Sequence, residues 1–76
     1  MIYELWELNS GNAIADFDSE AAALDAVRRM VSERGRASTA TWELVAVDGD
    51  DETTVAEGDA LIDRALGRTV AGAERE

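Results

Sequence analysis

Ile2 to Leu8 places two aromatic and three aliphatic residues in seven positions, the density of a β-strand. Asn9-Ser10-Gly11-Asn12 follows as a turn cluster, since glycine and asparagine reach positive φ at little cost. Ala13 to Phe17 then returns as the second strand of a hairpin. Ser19 suits a helix N-cap, with Glu20 in the first turn at the positive end of the helix dipole. Beyond it Ala23, Leu24, Val27, Met30 and Val31 form one apolar stripe on a helix of about four turns. Gly35 supplies the stop, flanked by Arg34 and Arg36 where cations suit a helix C-terminus.

Thr41 to Val47 is rich in β-branched and aromatic residues and reads as a third strand. Asp48-Gly49-Asp50-Asp51-Glu52 is a polar turn, and Thr53 to Ala56 a short fourth strand. Asp59 is placed to cap a second, short helix with Leu61, Ile62 and Leu66 as its apolar positions, ending at Gly67. The predicted order is β-β-α-β-β-α, an α+β fold with a four-stranded, mostly antiparallel sheet and the long helix on one face. One domain spans 1–67. Residues 68–76 have little to bury besides Val70 and are expected to fray. Trp6-Glu7-Leu8 recurs as Trp42-Glu43-Leu44, an echo too short to establish a duplication.

Alternation along the strands sorts the apolar residues onto two faces. Tyr3, Leu5, Ala13, Ala15, Phe17, Trp42, Leu44 and Ala46 fall on one; Ile2, Trp6, Leu8, Ile14, Val45, Val47 and Val55 fall on the other. Neither set reads as a solvated face. The long helix covers one, and the short second helix is expected to be a thin cover for the other. A second copy of the chain, or another protein, would complete it, which makes Ile2, Trp6, Leu8, Ile14, Val45 and Val47 the candidate interface. The two tryptophans point to opposite faces on this register, and tryptophan is enriched at binding hot spots.

Composition sharpens this picture. The chain has 76 residues, an apolar share of 46% with 14 alanines among it, and 17 acidic against 7 basic residues. Its apolar content is sufficient for folding despite a net charge of -10. A domain this short buries only about 60% of its unfolded surface, and the absence of cysteine and histidine removes disulfides and the usual zinc sites as supports. Association with a partner is the support that remains. The charge disfavours generic binding to nucleic acid or anionic membranes, and no apolar run is long enough to span a bilayer. No secretory leader is expected at the N-terminus, and the lack of cysteine favours the cytoplasm. Every basic residue is arginine and alanine is abundant, the signature of a GC-rich, bacterial coding sequence.

Candidate chemistry is sparse. Ser10, Ser19, Ser32 and Ser38 have no histidine or lysine to activate them, Schiff-base chemistry has no lysine, and no glycine spacing matches a phosphate loop. Carboxylate pairs remain, but seventeen carboxylates bring some pair together in any fold of this size. The chain is therefore read as non-enzymatic, with no cofactor and no metal site. Asp48, Asp50 and Glu52 alternate like the first ligands of a calcium loop, with Asp59 at the twelfth position. Thr53 stands where that loop needs glycine, so the segment reads as a solvated hairpin turn. Arg28, Arg29, Arg34 and Arg36 against Glu33 form a local basic patch, a candidate anion site. Their plainer roles are i+3 and i+4 pairing of Arg28 and Arg29 with Asp25, and compensation of the helix dipole.

The stretch Gly11-Asn12-Ala13-Ile14-Ala15-Asp16-Phe17-Asp18-Ser19-Glu20-Ala21, a hairpin strand running into a capped helix, resembles the start of HicB-type antitoxin domains and other short bacterial ββαββ proteins. The likeness covers less than half of the chain and lies in pattern rather than in specific residues. It implies pairing with a small basic toxin and assigns no functional residue. The expected function is a small acidic protein-interaction module, homodimeric and binding a basic protein, with antitoxin-like neutralisation as its concrete form. The alternative is a regulatory or ligand-binding domain, holding an anion at Arg28–Arg36 or, weakly, a divalent cation at the acidic turn.

Overall fold

A computed structural model describes residues 1–67, and the stretch expected to fray, 68–76, lies outside the described residues. The order is β1 (Ile2–Glu7), β2 (Asn12–Phe17), α1 (Glu20–Arg34), a single 3-10 turn (Arg36–Thr39), β3 (Trp42–Asp48), β4 (Asp51–Glu57) and α2 (Gly58–Ala65). The strands form one antiparallel sheet in the order β2-β1-β3-β4. The α+β class and the β-β-α-β-β-α sequence of elements are those the residue pattern predicts. α1 joins the edge strand β2 to β3, carrying the chain past β1.

Local chemistry sets the ends of α1. The Ser19 hydroxyl oxygen accepts from the Ala22 amide at 3.1 Å, which satisfies one of the free N–H groups of the first turn. At the other end the Gly35 amide donates to the Val31 carbonyl at 2.8 Å, with Gly35 at φ +89°. The β3–β4 hairpin is tighter than the composition of its turn suggests. Asp48 pairs with Asp51 across a loop of Gly49 and Asp50, and Gly49 takes the positive φ that a two-residue loop needs at its first position. Asp51 and Glu52 therefore belong to β4, which starts two residues before the predicted strand.

The core forms where both helices meet one side of the sheet. Leu5 and Leu44, partners on the two central strands, are 1% and 0% exposed and pack with Trp42, with Ala23 and Val27 of α1, and with Leu61 of α2. Burying a leucine of this kind contributes roughly 2 kcal/mol through apolar area removed from water. The presence of Leu61 in this cluster corrects the expectation that the second helix covers the opposite face. α2 lies beside α1, and Arg64 near its end donates to Glu20 in the first turn of α1 at 2.8 Å. Among the described residues the molecule thus has two layers, a sheet and a pair of helices.

Two further expectations are corrected. Asp59 does not cap α2: no loop separates β4 from the helix, the N-cap is Glu57 without a side-chain bond, and Asp59 instead pairs with Arg36 at 3.3 Å. Gly58, at φ +59°, turns the chain directly from strand to helix. The two strand bulges also reassign residues. Ala15 pairs with Leu5 but Ala13 with Trp6, so Ala13 belongs with Trp6 and not with Leu5. Ala56 pairs with Leu44 and Thr54 with Val45, leaving Val55 between them; Val55 packs against the core rather than on the opposite face. The two tryptophans do point to opposite faces, as the strand alternation predicts: Trp42 is a core residue paired with Glu7, while Trp6 faces the other way.

Candidate interaction face

With both helices on the Leu5–Leu44 side, the other side of the sheet has no layer over it among the described residues. Antiparallel pairing defines its rows, because directly opposed residues share a face. Asp16, Glu4, Val45 and Thr54 make one row, and Ala13, Trp6, Glu43 and Glu57 the next. Ile2, Val47 and Glu52 make a third. Of the six candidate interface residues, Ile2, Trp6, Val45 and Val47 are brought together here. Ile14 sits at the β2 bulge, 42% exposed, and Leu8 follows β1, 46% exposed. Val45 is only 8% exposed.

Five of the eleven residues in these rows are carboxylates. Glu4, Asp16, Glu43, Glu52 and Glu57 stand among the apolar residues, and none of the four strands contains an arginine. The sequence pattern alone already places Glu4 between Ile2 and Trp6 and Glu43 two before Val45, so both share the parity of the apolar set. Glu57 joins them only through the β4 bulge. Two acid pairs are directly opposed, Glu4 with Asp16 and Glu43 with Glu57, an arrangement that costs stability on a sheet. Hydrogen bonds orient part of the group. The Trp6 indole donates through Nε1 to Glu4 Oε1 at 3.1 Å, and Thr54 donates its hydroxyl to Glu43 Oε2 at 2.5 Å.

The arginines of the described residues all lie in the other layer. Arg28 and Arg29 both pair with Asp25, the latter at 3.1 Å, as the i+3 and i+4 spacing predicts. Arg36 reaches Asp59 at 3.3 Å and Asp63 at 3.2 Å, tying the 3-10 turn to α2; Asp63 first, then Asp59, pushes its pKa further up. Arg34 stands in the last turn of α1. Three of the four candidate anion-binding residues therefore already have carboxylate partners. A hollow of about 190 Å³ between α1 and α2, lined in part by Leu24, Asp25, Arg28 and Arg64, is smaller than the usual small-molecule pocket. At the acidic turn, Asp48 and Asp51 face each other across the hairpin, and among the described residues no three acidic side chains gather around a common point.

One carboxylate has a perturbed acidity. The Glu7 carboxyl is lowered from 4.5 to about 2, first by the Thr41 hydroxyl donating at 2.6 Å, then by Ser10, whose amide donates at 2.8 Å. The Asn9 amide adds a third donor at 3.2 Å. This group locks the β1–β2 turn to the start of β3 and is not aimed at a ligand. The described helices include none long and apolar enough to cross a membrane.

The fold and this face define a two-layer α+β domain with an acidic, partly apolar open sheet. No family model matches the chain, and no curated protein or solved structure matches it.

Proposed function

We propose that this chain is a non-enzymatic protein-interaction module whose open sheet face binds a basic protein. The observation that supports this reading is charge segregation between the layers: the charged groups of the open face are carboxylates, while every arginine of the described residues lies in the helical layer. A basic partner would relieve the opposed acid pairs and cover Trp6, Val47 and Ile2 at once. Two copies stacked through this face would instead bring carboxylates against carboxylates. Charge complementarity therefore favours a basic protein over a second copy stacked face to face as the occupant of this face. Masking of a basic, nucleic-acid-binding protein in the bacterial cytoplasm, as an antitoxin does, is the concrete form of this role.

The test is capture from native cell extract with the tagged protein and with a Glu4→Gln, Glu43→Gln, Glu57→Gln variant, at low and high salt. Basic proteins held by the wild type at low salt, released at high salt and absent from the variant are the expected outcome. Equal retention by the two proteins would remove the open face from the reading.

A further inference from the structure

We infer that the open face is built to receive arginine, rather than lysine, from an arginine-rich segment of a partner protein. The inference rests on the docking role just proposed and specifies its chemistry. The sheet face is an unpartnered surface among the described residues, and its charge commits it to a cationic occupant: Glu4, Asp16, Glu43, Glu52 and Glu57 lie on it with no arginine among the described residues on the same face. What separates the two basic side chains is their hydration and shape. An ammonium group is a compact, strongly hydrated charge, whereas a guanidinium is planar, more weakly hydrated and able to stack on an aromatic ring while donating to carboxylates.

The setting of Trp6 matches the second description. It is half-buried on a central strand, between Ala13 on β2 and Glu43 on β3. Its indole nitrogen is held by Glu4 at 3.1 Å, which fixes the ring and leaves the second Glu4 oxygen for another donor. Glu43 likewise uses Oε2 for Thr54 and keeps Oε1. An aromatic ring with a carboxylate on the same strand and another on the adjacent strand offers one guanidinium a stacking surface and acceptors together. Val45, opposite Glu4 and two residues along β3 from Glu43, is the apolar neighbour of this group, where the less hydrated cation loses less on docking.

The experiment titrates the 15N-labelled full chain, at low salt, with an arginine homopeptide and with the lysine homopeptide of equal length. The two tryptophan indole signals are assigned with Trp6→Phe, and a Glu4→Gln, Glu43→Gln variant serves as control. Expected are a shift of the Trp6 indole with the buried Trp42 indole unmoved, tighter binding of the arginine peptide by about tenfold, of the order that stacking on an aromatic ring contributes, and loss of that preference in the control. Equal affinities for the two peptides, with the same open-face shifts, would overturn the arginine preference while leaving the docking face in place. Shifts absent from the open face with both peptides would overturn both. Stability of the control variant, followed by thermal melting, separates loss of binding from loss of fold.

Discussion

Glu43 and Glu57 face each other directly across β3 and β4, on the side of the sheet that holds no arginine among the described residues. Like charges so placed repel, which is a cost the fold bears on a surface where an alternating-charge pair would be easy to encode. Glu57→Gln is expected to stabilise the domain by about 0.5 kcal/mol, read as a raised urea midpoint with an unchanged slope. The same substitution should weaken retention of basic proteins. A variant that loses stability instead would show that Glu57 holds the end of β4 in some other way.

Glu7 supplies a pH signature. Its folded-state pKa of about 2 lies below its ordinary 4.5, so its ionised form stabilises the fold fully above pH 4.5. That contribution is lost as the pH falls from 4.5 to about 2. Thermal melts of the wild type and Glu7→Gln across this window should converge toward the acid end, with the wild type falling more steeply. Parallel curves would exclude the Thr41–Glu7 bond as a source of acid sensitivity.

The placement of both helices on one side is tested by a contrast. Leu61 is fully buried in the shared core, whereas Val47 lies on the open face. Leu61→Ala should cost about 2–5 kcal/mol, a large part of the total stability of a domain this small. Val47→Ala should cost about 1 kcal/mol or less. Chemical denaturation of the two variants decides the matter, and similar losses would contradict a two-layer arrangement.

Gly58 carries the abrupt passage from β4 into α2 at φ +59°, and a Cβ there would meet the Ala40 carbonyl oxygen at 3.4 Å. Gly58→Ala is expected to cost about 1–2 kcal/mol, because an L-residue in the left-handed region crowds its own backbone. Gly58→Asn should recover part of that loss, since asparagine tolerates the region better. Matching melting temperatures for wild type and alanine variant would argue that the junction rearranges freely.

Much of the fold is legible in the residue order because it is written in local signals. Ser19 and Gly35 bound α1 by capping chemistry, and the strands announce themselves by alternation and β-branched residues. The features that escape are non-local. A bulge adds one residue opposite another without any mark in composition, so Ala13 and Val55 change sides only when the pairing with Trp6 and Leu44 is known. The side chosen by α2 depends on how Gly58 swings the chain, and its Asp59, a good cap on paper, is taken by Arg36 from a distant turn. Four of the six interface candidates share the open face because Ile2, Trp6, Val45 and Val47 keep strict parity along β1 and β3, whose pairing with each other has no bulge. The carboxylates beside them were equally readable at Glu4 and Glu43, whereas Glu57 depends on a bulge.

β1 runs through the middle of this arrangement with different demands on its two sides. Tyr3 and Leu5 lean into the helices, while Ile2, Glu4 and Trp6 look out from the sheet. Saturation mutagenesis along this one strand should therefore alternate residue by residue between positions that tolerate replacement and positions that do not. A lineage carrying this fold is free to rewrite every second letter of β1 and exchange one binding specificity for another, with the intervening letters keeping the domain folded throughout.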